Sequence, residues 1–488
     1  MSLEEKIGQL IVAPACPGRL DQQHVSDLEK AVQHWHVGGF LLKQGTLRET
    51  SDLIQRVENL SSRLLLIAAD AEWGLKMRIS DALKYPKNMT LGAIRDLELI
   101  EQVGSEIGEQ MRCLGIHLNL APVIDVNSNS RNPIIYIRSF GDDPMQVAKH
   151  GSAMIRGLQK TGRLACAKHF PGHGDTFTDS HVTLPCIEKN LLSLQQMELI
   201  PFKALIDQGV ACIMTAHLLI PAVDDQPVTL SKLWVTDILR EKLGFRGLII
   251  TDALNMEGIA KGRDAGEVAV QAFLAGHDLL LYGDHIAPKI DEILEQMIPT
   301  AINALKKAIE DGTITMAELD RRVNKILDAK QRLKTTKRPL HNSACSMEST
   351  LPKILYQQAI TARGELPVLN LVQLMEIGPQ RSFGALLEKE GVAVTDNADW
   401  QILVIGEIER GHAENKQAAL QALEKVRQQS DKKVIVLFGS PYNLVYIPQG
   451  IPVLLAYEDT PEAWEAAALA LAGKIPCPGH LPISPTKN

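Results

Sequence analysis

The chain has 488 residues, 45% of them hydrophobic and 22% charged, with a net charge of −7. This length exceeds that of a single ordinary domain, which usually holds about 100–200 residues. The negative charge and the lack of Lys/Arg runs argue against partners such as nucleic acid or a membrane surface.

No stretch of sequence reaches the roughly 20 apolar residues that span a bilayer. The N-terminus begins MSLEEK, with acidic residues where a secretory signal would be basic. We therefore expect a cytoplasmic protein, and the oligomeric state stays open. The seven cysteines are scattered, odd in number and form no CxxC pair. They are expected to be free thiols, with neither a structural zinc nor any other metal or cofactor.

Eight short apolar runs alternate with amphipathic, helix-like segments such as Leu97–Leu114, Pro144–Lys160 and Glu198–Gln208. Each run has the length of a buried parallel strand, and eight strands alternating with helices predict an α/β fold of the (β/α)8 TIM-barrel type. The runs are Gly8–Ala15, Val37–Lys43, Arg63–Asp70, His117–Asp125, Arg163–His169, Ala211–His217, Gly247–Asp252 and Asp278–Gly283.

The pattern of apolar runs alternating with helix-like segments ends with a predicted helical pair within Pro299–Lys334. Residues 335–351 are polar and unpatterned, as in a linker. A smaller α/β domain with a parallel sheet is predicted to follow, so the expected domains are a catalytic barrel at 1–334, a linker at 335–351 and an α/β sandwich at 352–488. The predicted strands of this second domain are Gln401–Ile405, Val434–Gly439 and Val453–Tyr457. Its predicted helices include Gln380–Glu390 and Asn415–Gln429.

Five of the apolar runs end on an Asp or a His: Asp70, Asp125, His169, His217 and Asp252. A barrel builds its active site at the C-terminal ends of its strands, so these side chains are expected to share a pocket. For Asp252, a carboxylate ending an apolar strand suits a nucleophile, but it equally suits the N-cap of a following helix.

The densest polar segment is KHFPGHGDTFTDSH, residues 168–181. Pro171 and Gly172 exclude a helix, so His169 and His173 lack the helical spacing of a zinc site. Within this loop Asp179 could orient the imidazole of His181 and stabilise its protonated form, which would make a general acid/base. The alternative is an ordinary polar loop.

Two further segments carry groups suited to binding hydroxyls. After Asp70 come Glu72, Trp73 and Arg78, for which acceptor, aromatic and guanidinium roles are possible. Surface salt bridges are the alternative for Glu72. Arg138 lies beside a turn, where an ordinary surface arginine is the alternative.

Residues 168–181 resemble the K-H-F/I-P-G-H/D-G-x4-D-x-H signature of the glycoside hydrolase family 3 β-N-acetylglucosaminidases, a group of β-N-acetylhexosaminidases. Other blocks of the family are similar to LNLAPVIDVN (118–127), RSFGDDP (138–144), GFRGLIITDALNM (244–256) and AGHDLLL (275–281). The resemblance covers the barrel region. The segments GSPY (439–442) and GHLPI (479–483) resemble turns of the family's second domain, a three-layer α/β unit.

This resemblance implies that Asp252 is the nucleophile and that His181, assisted by Asp179, is the acid/base. It also implies that the sugar is bound by Asp70, Arg78, Arg138, Lys168, His169 and Met256. Trp73 departs from the family pattern, in which glycine follows the glutamate, and leaves the leaving-group preference open.

The implied activity is retaining, exo-acting hydrolysis of terminal N-acetylglucosamine from chito-oligosaccharides or from cell-wall muropeptide fragments, as in peptidoglycan recycling. Three alternatives stay open. An imidazole does not repel an anion as a carboxylate would, so phosphate could replace water and make the enzyme a phosphorylase. The others are another β-glycosidase of the family and an inactive sugar-binding barrel.

Overall fold

The computed structural model describes residues 1–19, 21–178, 184–283, 289–334, 347–377, 383–411, 413–429 and 432–484. The chain forms two compact units that interleave along the sequence. The barrel unit comprises Met1–Lys84, Ile100–Tyr136 and Val147–Glu348. The sheet unit comprises Tyr85–Leu99, Ile137–Gln146 and Ser349–Asn488. The domain limits expected from the sequence remain a prediction.

The barrel unit is built on eight parallel strands in the order β7-β6-β5-β4-β3-β2-β1-β8. A bridge between Ile250 and Leu279 brings the two ends of this sheet together. The predicted (β/α)8 barrel is thereby confirmed, and each strand lies within or overlaps its predicted run. The strands are β1 (Ile11–Ala15), β2 (Gly39–Leu42), β3 (Leu66–Ala69), β4 (Leu118–Asn119), β5 (Leu164–Phe170), β6 (Cys212–Thr215), β7 (Leu248–Thr251) and β8 (Leu280–Leu281).

Helices of the first 334 residues bury an apolar stripe, as α5 shows. In α5, Ile100, Val103, Ile107, Met111 and Leu114 recur at helical spacing and all are buried. These helices are α1 (Leu3–Gly8), α2 (Gln22–Gln33), α3 (Leu47–Leu60), α4 (Asn88–Gly92), α5 (Leu97–Leu114), α6 (Pro144–Lys160), α7 (Leu191–Gln196), α8 (Leu199–Asp207), α9 (Glu257–Ala260), α10 (Ala265–Ala275), α11 (Ile290–Glu292), α12 (Ile298–Glu310) and α13 (Met316–Lys334).

Shorter or wider helical turns complete this region. They are the 3₁₀ turns Leu75–Met77, Tyr136–Arg138 and Val228–Leu230 and the π-helical segments Leu233–Lys242 and Ile293–Met297. The first π-helical segment carries Trp234, which is fully buried. The Trp234 ring packs edge-on against Phe170 of β5, with 6.1 Å between the ring centroids. Phe170 also packs edge-on against Phe202 of α8, with 5.3 Å between the centroids. This aromatic cluster fixes the outer face of β5, the strand that leads into the densest polar loop.

The sheet unit contains a six-stranded sheet in the order β11-β10-β12-β13-β14-β9. Its three predicted strands are present, but β9 pairs antiparallel with β14, so the sheet is mixed rather than wholly parallel. The strands are β9 (Thr361–Arg363), β10 (Leu371–Ile377), β11 (Ala393–Val394), β12 (Trp400–Ile405), β13 (Lys433–Leu437) and β14 (Val453–Leu455). The helical elements are α14 (Leu351–Ala359), α15 (Phe383–Lys389), α16 (Ala413–Gln429), α17 (Pro461–Leu471) and the 3₁₀ turn Pro441–Tyr446.

Early segments of the chain are bound into the sheet unit by hydrogen bonds. The buried carboxylate of Glu458 accepts from the backbone N–H of Lys87 at 2.7 Å and from the hydroxyl of Thr90 at 2.9 Å. The Asp142 N–H donates to the Pro482 carbonyl at 3.1 Å. The second unit is therefore assembled from three separate stretches of sequence.

The structure also bears on the predictions about the cysteines and about membrane-spanning segments. Cys113 is disulfide-bonded, so the expectation of seven free thiols is wrong. The other described cysteines are free: Cys16, Cys166, Cys186, Cys212 and Cys477. Among the described helices, none is long and apolar enough to cross a membrane. The cytoplasmic location stays a prediction.

Candidate active site

Four charged side chains form one buried network at the C-terminal ends of β3 and β5. The Lys168 ammonium lies 2.9 Å from an Asp70 oxygen and 3.0 Å from a Glu72 oxygen. The second Asp70 oxygen accepts from Arg78 at 2.6 Å. Two cations and two anions balance each other's charge, which offsets part of the cost of removing them from water. The surface alternative for Glu72 is wrong, since this side chain is buried.

This network suits the recognition of sugar hydroxyls. The carboxylates of Asp70 and Glu72 provide acceptors and the cations provide donors, all held in fixed directions by mutual hydrogen bonds. The neighbouring Trp73 is partly exposed. Of the predicted sugar contacts, Asp70, Arg78 and Lys168 are thus brought together.

His169 belongs to a second network, centred on the buried carboxylate of Asp125. One Asp125 oxygen lies 2.7 Å from the His169 Nδ1, and the other accepts from the backbone N–H groups of His169 and His173 at 3.2 and 2.7 Å. Burial raises the pKa of Asp125, but its contacts with His169 and His173 outweigh that effect and hold the pKa below its ordinary value. Asp125 stays ionised and fixes the His169 ring so that Nδ1 donates and Nε2 points away from the carboxylate.

His173 is buried and neutral at physiological pH. Burial lowers its pKa to about 4, although the charges of Asp125 and Asp252 act to raise it. Its Nδ1 lies 2.9 Å from the Thr176 hydroxyl, which in turn donates to the His173 carbonyl. Since Thr176 uses its proton there, His173 donates from Nδ1. Asn132 also donates to this carbonyl, at 2.7 Å. His173 therefore holds the turn of the loop in place.

Asp252 directly follows β7, where its backbone N–H donates to the Thr215 carbonyl at 3.1 Å. Its side-chain Oδ1 accepts from the Ala253 N–H at 2.8 Å. The helix-cap alternative is wrong, because α9 begins at Glu257 and its N-cap is Met256. The carboxylate is partly exposed, as access to a substrate requires.

The turn after Asp252 is held from the neighbouring strand end by His217. This buried imidazole lies 2.9 Å from the Ala253 carbonyl and 2.7 Å from the Thr229 hydroxyl. Nε2 donates to the Ala253 carbonyl, and the Thr229 hydroxyl beside Nδ1 donates its own proton to the Ala216 carbonyl at 3.0 Å. His217 therefore orients the backbone of the candidate nucleophile.

Lys43, the residue after β2, is a further charged residue near this site that was not among the predicted site residues. This lysine is almost fully buried. A Cβ at Gly283 would lie 3.5 Å from its Nζ and 3.4 Å from the Cβ of Ala253, which places the ammonium beside the turn that follows Asp252. The signal was present in the apolar run Val37–Lys43, which ends on a charged residue, as five other runs end on an Asp or a His. Asp125 was noted at a strand end, but its partnership with His169 was missed.

The remaining predicted site residues are Met256, Arg138, Asp179 and His181. Met256 is buried four residues after Asp252. Arg138 belongs to the sheet unit, where its carbonyl accepts from Asn88 at 2.7 Å. Asp179 and His181 lie outside the described residues. Within the described ranges no group of three His, Cys, Asp or Glu side chains could hold a metal ion.

Part of the chain matches a known protein family. Residues 2–329 match the Glycosyl hydrolase family 3 N terminal domain. The chain is 32% identical over 334 residues to "Beta-hexosaminidase A" of Pseudoalteromonas piscicida, covering 63% of this chain but only 55% of that protein. It is 35% identical over 297 residues to "Beta-hexosaminidase" of Chromobacterium violaceum, covering 59% of this chain and 83% of that one.

One solved structure matches along the whole length of both chains. It is a glycoside hydrolase family 3 β-N-acetylglucosaminidase from Paenibacillus sp. str. FPU-7, with a TM-score of 0.86, 29% sequence identity and 100% coverage of each chain. Both units therefore have counterparts in that protein.

Proposed function

Since the chain belongs to glycosyl hydrolase family 3, we propose that it is a retaining, exo-acting β-N-acetylglucosaminidase. The names of the relatives support this activity, as they include β-hexosaminidases and a β-N-acetylglucosaminidase. The observation that carries the proposal is the convergence at one end of the barrel. The partly exposed Asp252 carboxylate follows β7, Asp70 and Arg78 of the proposed hydroxyl-binding network follow β3, and its Lys168 lies near the C-terminal end of β5.

The proposed reaction has two steps. In the first, the Asp252 carboxylate attacks the anomeric carbon, and the leaving oxygen takes a proton from His181 as the glycosidic bond breaks. In the second, His181 removes a proton from water, and the oxygen of that water displaces Asp252 from the anomeric carbon. Two displacements restore the β configuration. Asp179 acts on His181 as an orienting and charge-stabilising partner.

Binding of the non-reducing sugar is proposed for Asp70, Arg78, Arg138, Lys168, His169 and Met256. The fixed oxygens and N–H groups described above would bind the ring hydroxyls, and Met256 would provide an apolar contact for the N-acetyl methyl group. Substrates are proposed to be muropeptide fragments or chito-oligosaccharides with a terminal N-acetylglucosamine. The low aromatic content of 4% fits a pocket for one terminal sugar better than a long polysaccharide cleft lined with stacking rings.

The first test replaces the nucleophile. Asp252→Ala and Asp252→Asn should each lower kcat on an aryl β-N-acetylglucosaminide by at least about 10³-fold, as loss of a nucleophile does in other covalent enzymes. The control is Asp264→Ala, which removes the N-cap of α10 and its bonds to Gly266 and Glu267. It should cost about 1 kcal/mol of stability and leave kcat unchanged. Near-normal activity of both Asp252 variants would refute the proposal.

The second test concerns the acid/base and the acceptor. His181→Ala should lower kcat/KM far more for substrates with poor leaving groups than for dinitrophenyl glycosides, because kcat/KM reports the first step and a good leaving group needs little protonation there. Proton NMR should show β-N-acetylglucosamine as the first product. An α product would contradict a retaining mechanism.

Adding phosphate separates hydrolase from phosphorylase, since only the latter releases sugar 1-phosphate.

A further inference from the structure

The segment that carries Asp179 and His181 is tied at both ends to one ion pair. Asp175 precedes this segment and Lys189 follows it, with thirteen residues between them. The Lys189 ammonium lies 2.8 Å from an Asp175 oxygen and 2.6 Å from a Glu198 oxygen. We call Asp175, Lys189 and Glu198 the loop clamp.

Glu198 is the fixed part of the loop clamp. Its side chain is fully buried and directly precedes α8. Its Oε1 accepts from Lys189, and its Oε2 has no hydrogen-bond partner among the described residues. Gly172 packs against it so closely that a Cβ there would lie 2.7 Å from the Glu198 Cβ. A buried carboxylate with a single cationic partner holds that partner in one place.

Lys189 connects this fixed carboxylate to the beginning of the loop. Burial lowers the pKa of Lys189, but the hydrogen bonds to Asp175 and Glu198 outweigh that effect and raise the pKa above its ordinary value. The ammonium therefore stays charged throughout the neutral range. Both Lys189 and Asp175 are about one-quarter exposed, so water weakens this part of the clamp only partially.

We propose that Lys189 is a positioning residue for the acid/base, because it holds the two ends of its loop together over Glu198. The inference rests on the proposed function, since it concerns the placement of His181 relative to the leaving oxygen. Thirteen residues could extend over roughly 45 Å. A chain segment whose ends are held in contact reaches a smaller volume than one whose ends are free.

The deciding variant is Asp175→Ala, which releases the beginning of the loop and leaves the Lys189–Glu198 pair intact. We expect kcat on an alkyl β-N-acetylglucosaminide to fall about 10–100-fold, because a small misplacement of a catalytic group has that effect. We expect kcat/KM on the dinitrophenyl glycoside to change less than about threefold, because kcat/KM reports only the first step, in which a good leaving group needs little protonation.

Lys189→Met should show the same dependence on the leaving group, and Lys189→Arg should largely restore activity on the alkyl glycoside. The double variant Asp175→Ala/Lys189→Met should be no slower than Lys189→Met alone. The matched control is Lys203→Met, which removes an exposed lysine paired with Asp207 on α8 and should leave both substrates unaffected. If Lys189→Met does not fold, Asp175→Ala alone decides.

The proposal is overturned if Asp175→Ala changes neither substrate, or if it slows both substrates equally. Failure of the underlying function looks different. There the His181→Ala variant itself would show no dependence on the leaving group, or the Asp252 variants would remain active.

Discussion

Acidification should destabilise the protein through His173, and the size of the effect follows from its burial. Its folded-state pKa is about 4, against an ordinary value of 6.5. As pH falls below 6.5 the unfolded chain binds a proton that the folded chain cannot accommodate. The stabilising contribution is therefore complete above pH 6.5 and is lost as pH falls towards 4. At 1.36 kcal/mol for each pKa unit, it amounts to about 3 kcal/mol in total and to about 2 kcal/mol between pH 7 and pH 5.

The assay compares wild type with His173→Asn, whose amide can still donate to Thr176 but does not titrate. Urea unfolding of both proteins at pH 7 and pH 5 gives the difference in free energy of unfolding at each pH. Other titrating groups contribute equally to both proteins and cancel. At pH 7 wild type has a certain excess in free energy of unfolding over His173→Asn, and we expect that excess to be about 2 kcal/mol smaller at pH 5. An advantage that is the same at both pH values would refute the reasoning.

His277 provides an independent repeat of that experiment. Burial lowers its pKa to about 3, and its ring lies 2.8 Å from the Thr215 hydroxyl and 2.9 Å from the Ala272 carbonyl. His277→Asn should reproduce the loss of pH dependence between pH 7 and pH 5. Among the described residues the two histidines share no hydrogen-bond partner, so their effects should add.

Two further substitutions test the candidate site. Lys168→Met leaves Asp70 and Glu72 as neighbouring buried carboxylates. It should lower the free energy of unfolding, measured in urea, by about 3–5 kcal/mol. An unchanged urea midpoint would contradict the proposed ion-pair network. Gly174→Ala would place a Cβ 1.7 Å from the Val126 carbonyl oxygen, so the loop must shift. Its kcat/KM should fall at least about tenfold while circular dichroism stays native, and full activity would show that the loop tolerates the shift.

Much of the barrel could be predicted because its strands are buried on both sides and hence read as continuous apolar runs. The three strands of the second sheet with the same property were also predicted. Strand β10 was missed, since its burial is mixed and it carries Gln373 and Glu376. The two-residue strand β11 is too short to produce a period.

For the candidate site, strand ends located the acidic and histidine side chains, but not their partners. Whether Asp252 caps a helix depends on where that helix begins, and Met256 rather than Asp252 stands at its N-cap. Glu72 was read as a possible surface group because only the folded chain brings Lys168 to it. The disulfide of Cys113 likewise depends on distances between side chains, which cysteine spacing alone does not contain.

The three-part origin of the sheet unit has a consequence for synthesis on the ribosome. Thr90 emerges 368 residues before Glu458, its hydrogen-bond partner. At about 5–20 residues per second, that delay is roughly 20–70 s. Throughout it, the segments 85–99 and 137–146 have been translated while most of their unit does not yet exist. A chain truncated after residue 334 would be left permanently in that state, so we expect such a fragment to need chaperones or to aggregate.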